Sequence, residues 1–329
     1  MTASPARPGP LIVRLRNWVG DVTLGVPMLQ RLHDAGYGLQ LVGKRWASDL
    51  LAGQGWPVHV LPATLRERVA LLRRLRADAV AADGGFDRRV NALCLPFSFS
   101  SALEFRLAGL RALGHAHEGR SPLLAQRVPR PASGHELAVY WGLGSALLQQ
   151  SAPLPSAIGL RVAARHREAA AALRAQHGIA ADAIHVCPFA GGTFAKLDKS
   201  WPEFAAFVSQ RLPAYGRDIV VCPGPGEEAV AQQHFSSAKV LTGVGLGTYA
   251  ALLADAAVMV ANDTGPGHLA AAVGAPLVSV LGPTDAAQWG AWGATVRLVQ
   301  GSDGWPDADA VASAVGRALS DRERSDRPA

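Results

Sequence analysis

The sequence predicts two α/β domains of similar size, each a parallel sheet covered by helices on both faces, with a cleft between them. Three observations predict it. The chain has 329 residues, enough for two ordinary domains. Both halves alternate short apolar runs with longer helical patterns, the β-α-β rhythm of a parallel sheet. Pro153, Pro155 and Gly159 interrupt that rhythm near the middle, where a hinge is expected. The expected domains are 1–155 and 156–329.

In the first half, the run LIVRL over 11–15 reads as a buried strand. A Trp-Val-Gly-Asp turn comes next, then a helix over about 22–35. Residues 39–42 and 58–61 read as further strands, 65–76 as a basic helix and 79–82 as another strand. Pro, Gly and Arg interrupt 86–135, which yields a helix near 100–110; a second helix is expected near 136–149. In the second half, a helix over 163–177 precedes strand 184–187, helix 202–211, strand 219–222 and helix 227–235. Helix 249–254, strand 257–261, helix 267–273 and strand 277–281 complete the alternation. No internal repeat of fixed short period is visible.

Composition excludes several classes. Hydrophobic residues make up 49% and charged residues 18%, which excludes a disordered chain. Cys94, Cys187 and Cys222 lie far apart, with no Cys-x-x-Cys pair. That excludes a disulfide scaffold and a zinc ribbon, and suits a reducing compartment. The longest apolar stretch, 269–281, is too short to span a bilayer and is broken by Gly274 and Pro276. The opening MTASPARPGP has no apolar stretch, and Arg14 and Arg16 interrupt the apolar run after it, so no signal peptide is expected. Charge is split: 18 basic and 10 acidic residues over 1–150 give +8, while 14 and 16 over 151–329 give −2. The first half is suited to an acidic partner. Without aromatic interleaving or a nucleic-acid motif, nucleic acid is not the expected one.

Three loops after strands concentrate reactive residues, where ligands of such sheets bind. The first is Asn17-Trp18-Val19-Gly20-Asp21. Asp21 is either a helix N-cap or a carboxylate acting as general base. The second is Asn262-Asp263-Thr264-Gly265-Pro266-Gly267-His268, a Gly-rich turn entering a small-residue helix. Its amides and dipole suit phosphate, although it is neither a Walker loop nor a Gly-x-Gly-x-x-Gly dinucleotide turn. The competing reading makes Asp263 and Thr264 caps and His268 a packed surface histidine. The third runs from Gly191 through Thr193 and Lys196 to Lys199-Ser200-Trp201-Pro202. It reads as an anion cradle, or as a loop with two solvated lysines. Gly224-Pro225-Gly226-Glu227-Glu228 reads as a turn with an acidic helix start. Asp307-Ala308-Asp309 has metal-pair spacing but reads better as helix-terminal charge. There is no cluster with metal-ligand spacing and no Gly-x-Ser-x-Gly elbow, so no metal or other cofactor is expected.

These loops, in this order, resemble glycosyltransferase family 9, the ADP-heptose:lipopolysaccharide heptosyltransferases. The resembling segments are NWVGDVTLGVPML, Lys199-Ser200-Trp201-Pro202, and DTGPGHLAAAVGAPLVSVLGPTD; FSFSSALEFRLAGL is similar to the family's acceptor-side helix. The resemblance implies a glycosyltransferase B architecture of two Rossmann-like domains, with the acceptor on the N-terminal one and the nucleotide sugar on the other. It implies an inverting, metal-independent transfer from ADP-heptose, with Asp21 as base. It further implies that Thr193, Lys199, Asp263, Thr264, Gly265 and His268 hold the donor, with Glu228 at the ribose and Val244 at the adenine. The loop at 191–197 carries extra residues around 194–196. The acceptor is expected to be an acidic, lipid-linked saccharide read by Arg88, Arg89, Arg106 and Arg120. The resemblance also implies a cytoplasmic protein with peripheral contact at the inner membrane. The alternatives are a family member with another nucleotide-sugar donor and a catalytically silent sugar-nucleotide binder on the same fold.

Overall fold

In a computed structural model of the chain, the first apolar run forms β1 (Pro10–Arg14), buried along all but its first residue. The structure describes residues 8–191, 193–194, 197–282, 284–302 and 304–325. The chain divides into two units, Met1–Pro155 and Ser156–Ala329.

In the first unit β1 leads into α1 (Val19–Asp34), β2 (Gly38–Gly43), α2 (Arg45–Leu50), β3 (Val58–Val60) and α3 (Leu65–Ala82). Then come β4 (Ala92–Cys94), α4 (Phe99–Leu107), β5 (Ala112–His115), β6 (Gln126–Val128) and α5 (Glu136–Leu148). The sheet order is β3-β2-β1-β4-β5-β6, parallel throughout. The second unit opens with α6 (Ala164–His177), β7 (Ile184–Cys187), an antiparallel ribbon of β8 (Thr193–Phe194) and β9 (Leu197–Asp198), and α7 (Phe204–Gln210). It continues through β10 (Ile219–Val221), α8 (Glu228–His234), β11 (Lys239–Val240), α9 (Leu246–Asp255), β12 (Val258–Asn262) and α10 (Gly265–Ala272). β13 (Leu277–Leu281), α11 (Ala286–Trp289), β14 (Val296–Gln300) and α12 (Ala308–Ser325) complete it. Its main sheet runs β11-β10-β7-β12-β13-β14, again parallel. With the ribbon set aside, both sheets have the 3-2-1-4-5-6 order of the Rossmann fold. The α/β class is as expected from sequence. Strands such as β12 and β13 are apolar and wholly buried because helices cover both faces.

Several elements differ from expectation. Residues 79–82 are not a strand; they complete α3. A capping box starts that helix, with Thr64 and Glu67 bonding each other's backbone N–H. Leu72, Leu75 and Ala79 then continue its buried stripe at helical spacing. The strand beside β1 is β4 instead. β4, β5 and β6 are only three or four residues long, too short to stand out within 86–135. α1 begins at Val19 rather than 22, so Gly20 and Asp21 lie inside its first turn. α7 begins at Phe204, two residues beyond Pro202. β14 and most of α12 lie outside the predicted elements. Asp307 accepts a hydrogen bond from Ala310 N–H, and Asp309 pairs with Arg211, so that acidic pair caps and steadies α12. Among the described residues, no helix is long and apolar enough to cross a membrane.

One close packing contact joins two helices of the first unit. α1 lies against α5, and Gly144 lets them approach closely: a Cβ there would stand 2.7 Å from Met28 Cγ. Gly144→Val is expected to cost about 1–3 kcal/mol through overpacking, offset only partly by better helix propensity. Urea unfolding measures this; an unchanged midpoint would show that the helices separate freely.

Candidate functional site

In a Rossmann sheet the crossovers leave for opposite faces on either side of the first strand, opening a crevice at the carboxyl ends of the first and fourth strands. In the first unit that is the end of β1 and β4. In the second it is the end of β7 and β12, which pair directly. Both candidate clusters stand at these ends.

In the first unit, α1 is capped by position by Trp18, which is 68% exposed and makes no side-chain cap bond. Asp21 is therefore not the N-cap. Tyr140 Oη, on α5, donates to Asp21 Oδ1 at 2.7 Å. Arg16 Nε stands 3.5 Å from Asp21 Oδ2. The Arg16 guanidinium lies over the Phe97 ring, 4.3 Å from its centroid, and Arg130 stands 4.4 Å from the same centroid. Arg130 donates in turn to Glu136 Oε2 at 3.2 Å, at the start of α5. The contacts thus close a ring from α5 through Asp21, Arg16, Phe97 and Arg130 back to α5. Burial, then the Asp21 charge, push the Tyr140 phenol well above its ordinary pKa, so it keeps its proton and donates it to Asp21. Burial also raises Glu136, against the opposing pull of Arg130 and Arg16. Burial works against the Arg16 charge, but Tyr140, Asp21 and Glu136 outweigh it and raise that pKa.

In the second unit, Asn262 ends β12 fully buried. Its Oδ1 accepts from Trp201 N–H at 3.1 Å, and its Nδ2 donates to the Pro188 carbonyl at 2.6 Å. One amide side chain thereby ties the loop after β7 and the entry to α7 to the turn that opens α10. Trp201 Nε1 adds a bond to the Pro306 carbonyl at 3.1 Å. Lys199 is thus carried to Asp263, with Nζ 3.1 Å from Oδ2, while His268 Nε2 stands 3.7 Å from Oδ1. Lys199 is a paired cation rather than a solvated one. His268 is largely enclosed, and its Nδ1 is buried without a partner among the described residues. Thr264 sits at the N-cap of α10 with no side-chain cap bond, and Pro266 has no N–H, so the Gly265 and Gly267 amides are the ones available to an anion. Cys187 lies 3.8 Å from that hydroxyl; burial pushes its thiol up to about 12, so it remains protonated. Alongside opens a pocket of about 340 Å³ walled by Phe189, Trp201, Glu227, Val230, His234 and Phe235.

The structure gathers Lys199, Asp263, Thr264, Gly265 and His268 into one cluster. Thr193 is in the β8–β9 ribbon, paired in register with Asp198. Lys196 lies outside the described residues. Glu228 accepts from Gly226 N–H at 2.7 Å, and it is the neighbouring Glu227 whose side chain walls the pocket. Val244 is half-buried between β11 and α9, away from that pocket. The four arginines expected at an acceptor are not brought to Asp21. Arg88 and Arg89 precede β4, and Arg89 pairs with Asp83 beside Gly9, at the amino end of β1. Arg106 is in the last turn of α4, which runs back toward that same end. Arg120 is at the carboxyl end but fully buried; it donates to the His115 and Pro96 carbonyls, and burial lowers its pKa. The arginines near Asp21 are Arg16 and Arg130. Sequence reasoning missed them, with Tyr140 and Phe97, because they come from four separate segments. Among the described residues no group of three His, Cys, Asp or Glu side chains stands together as a metal site.

Residues 44–314 match the family model of glycosyltransferase family 9 (heptosyltransferase). Among solved structures the chain is similar to E. coli ADP-heptose LPS heptosyltransferase II, with 21% identity, 95% of this chain and 99% of that one covered, and a TM-score of 0.78. A glycosyltransferase family 9 structure from Veillonella parvula gives 16%, 96%, 99% and 0.80. E. coli heptosyltransferase WaaC with ADP gives 20%, 95%, 99% and 0.69. A comparison with curated proteins finds no match.

Asp263 supplies a pH test. Burial works against its charge, but His268 and Lys199 outweigh that and hold the carboxyl below its ordinary value. A carboxyl depressed in the native state stabilises it above the unfolded pKa, and the contribution disappears as pH falls through the lower native value. Asp263→Asn is therefore expected to be less stable at neutral pH and to lose less of its stability below about pH 4. Urea midpoints across pH check this; parallel curves for the two proteins would contradict it.

Proposed function

The chain belongs to glycosyltransferase family 9, and from that premise we propose that it moves heptose from ADP-heptose to an acidic saccharide of the lipopolysaccharide-core type, with inversion and without a metal ion. The observation that carries the reading is the chemistry at the two switch points. A carboxylate flanked by arginine stands at one; a lysine, a histidine and free helix amides stand at the other. The first suits deprotonation of a sugar hydroxyl, the second a diphosphate leaving group. Among similar proteins, E. coli heptosyltransferase WaaC was solved with ADP.

In this reading Asp21 accepts the acceptor's hydroxyl proton while that oxygen bonds to the anomeric carbon of the donor. The bond from that carbon to ADP breaks, and its electron pair stays on the β-phosphate oxygen. A carboxylate is a far weaker base than an alkoxide, so the proton moves late, as the new bond forms. Lys199, Thr264, the Gly265 and Gly267 amides and His268 take up the charge of the leaving ADP; Asp263 holds Lys199 and His268 in place. By family resemblance alone, Thr193 is assigned to a phosphate, Glu228 to the ribose and Val244 to the adenine. Arg16 and Arg130, rather than Arg88, Arg89, Arg106 and Arg120, face the acceptor's acidic groups. The +8 balance of residues 1–150 favours encounter with a lipid-linked anionic acceptor at the cytoplasmic face of the membrane, by peripheral contact.

Two measurements test this reading. Calorimetry is expected to give the same ADP affinity with and without EDTA; a tenfold loss, about 1.4 kcal/mol, would reveal a required metal. Asp21→Asn is expected to bind ADP normally and to lose about 100- to 10,000-fold in kcat. Near-normal turnover would remove Asp21 from the chemistry, and binding of UDP in preference to ADP would favour a different donor.

A further inference from the structure

The Asp21 carboxylate is a largely enclosed group with an interior tether. Its side chain keeps 12% exposure, whereas Tyr140 is fully enclosed. Phenylalanine would fill the same volume. The hydroxyl must find a partner once buried, and it finds Asp21 Oδ1, 119 positions away in sequence. The two residues sit on α1 and α5, which pack closely across Gly144. On the other side, Arg16 Nε stands 3.5 Å from Oδ2 while its guanidinium lies over Phe97. One oxygen of Asp21 is thus held at hydrogen-bond distance by Tyr140, and the other has the looser 3.5 Å contact with Arg16 Nε.

We propose that Tyr140 is the positioning residue of the transfer: by holding Oδ1 it fixes the rotation of the Asp21 carboxylate and presents Oδ2 to the acceptor hydroxyl. This rests on the reading of Asp21 as the base. The need for it is physical. The terminal torsion of an aspartate is broad, so a free carboxylate samples many orientations. A base that must take its proton late requires an oxygen already aligned with the attacking hydroxyl, and small misplacements at that stage are expensive. The phenol keeps its own proton and directs it at Oδ1, so it engages the carboxylate without taking the substrate's proton.

The test compares the wild type with Tyr140→Phe, Asp21→Asn and the double variant, using ADP-heptose and deacylated lipopolysaccharide core. Tyr140→Phe is expected to lower kcat about 10- to 100-fold with both KM values unchanged. In the Asp21→Asn background it is expected to have no further effect. A normal kcat in Tyr140→Phe, or an equal loss in both backgrounds, overturns the proposal. If Asp21→Asn itself turns over normally, the base reading falls first and the positioning role with it. Should Tyr140→Phe not fold, 3-fluorotyrosine at position 140 keeps the shape and makes the phenol a stronger donor. The acid limb of the kcat/KM profile is then expected to move to lower pH; an unmoved limb overturns the proposal.

Discussion

Each functional element of the chain depends on one topological constraint, the reversal of strand order beside the first strand of each sheet. Where β1 meets β4, and where β7 meets β12, the crossovers turn to opposite faces and the carboxyl ends stay open. Backbone donors and charged side chains can gather there without breaking a buried ladder. Arg16, Asp21 and Phe97 come from the segments at one such end; Pro188, Asn262, Asp263 and Thr264 come from the other. The surrounding strands are apolar on both faces and act as a rigid base, so a shift of one loop is not absorbed by the sheet.

The two ends are built differently. In the second unit a single buried amide, Asn262, bonds the backbone of two other segments and so fixes where Lys199 falls relative to Asp263. Removing it would strand a buried N–H and a buried carbonyl, each costing about 1–3 kcal/mol. In the first unit the work is shared around a ring of ionic, aromatic and hydrogen-bonded contacts that starts and ends on α5. The first arrangement suits a fixed phosphate cradle. The second leaves cations beside a partly exposed carboxylate, which suits the acidic saccharide proposed as acceptor.

Much of this is legible in the sequence, for stated physical reasons. Long apolar runs such as those of β1, β12 and β13 announce buried parallel strands, and contiguous turns such as 262–268 carry their chemistry in neighbouring residues. The cluster at the carboxyl end of β12 is therefore readable. What escapes is whatever folding assembles from distant segments. Arg16, Phe97, Arg130 and Tyr140 meet only because β4, β6 and α5 come after β1 around the sheet. Composition also misleads: the basic excess of the first half suggests Arg88, Arg89, Arg106 and Arg120, yet three fall toward the amino end of the sheet and the fourth is buried. Residues 79–82 mislead because an alanine-rich apolar run has no period of its own, and the capping box at Thr64 decides in favour of helix.

The central claim is a direct displacement, in which one carboxylate removes the acceptor proton while ADP departs from the opposite face of the sugar. The product's anomeric configuration reports on that step alone. Incubation of the protein with ADP-heptose and deacylated lipopolysaccharide core, and then measurement of the one-bond carbon–hydrogen coupling at the transferred anomeric carbon, reads it directly. The account predicts a product of inverted configuration relative to the donor. Retention would contradict it, because retention requires a covalent or front-face intermediate that a lone Asp21 base does not provide.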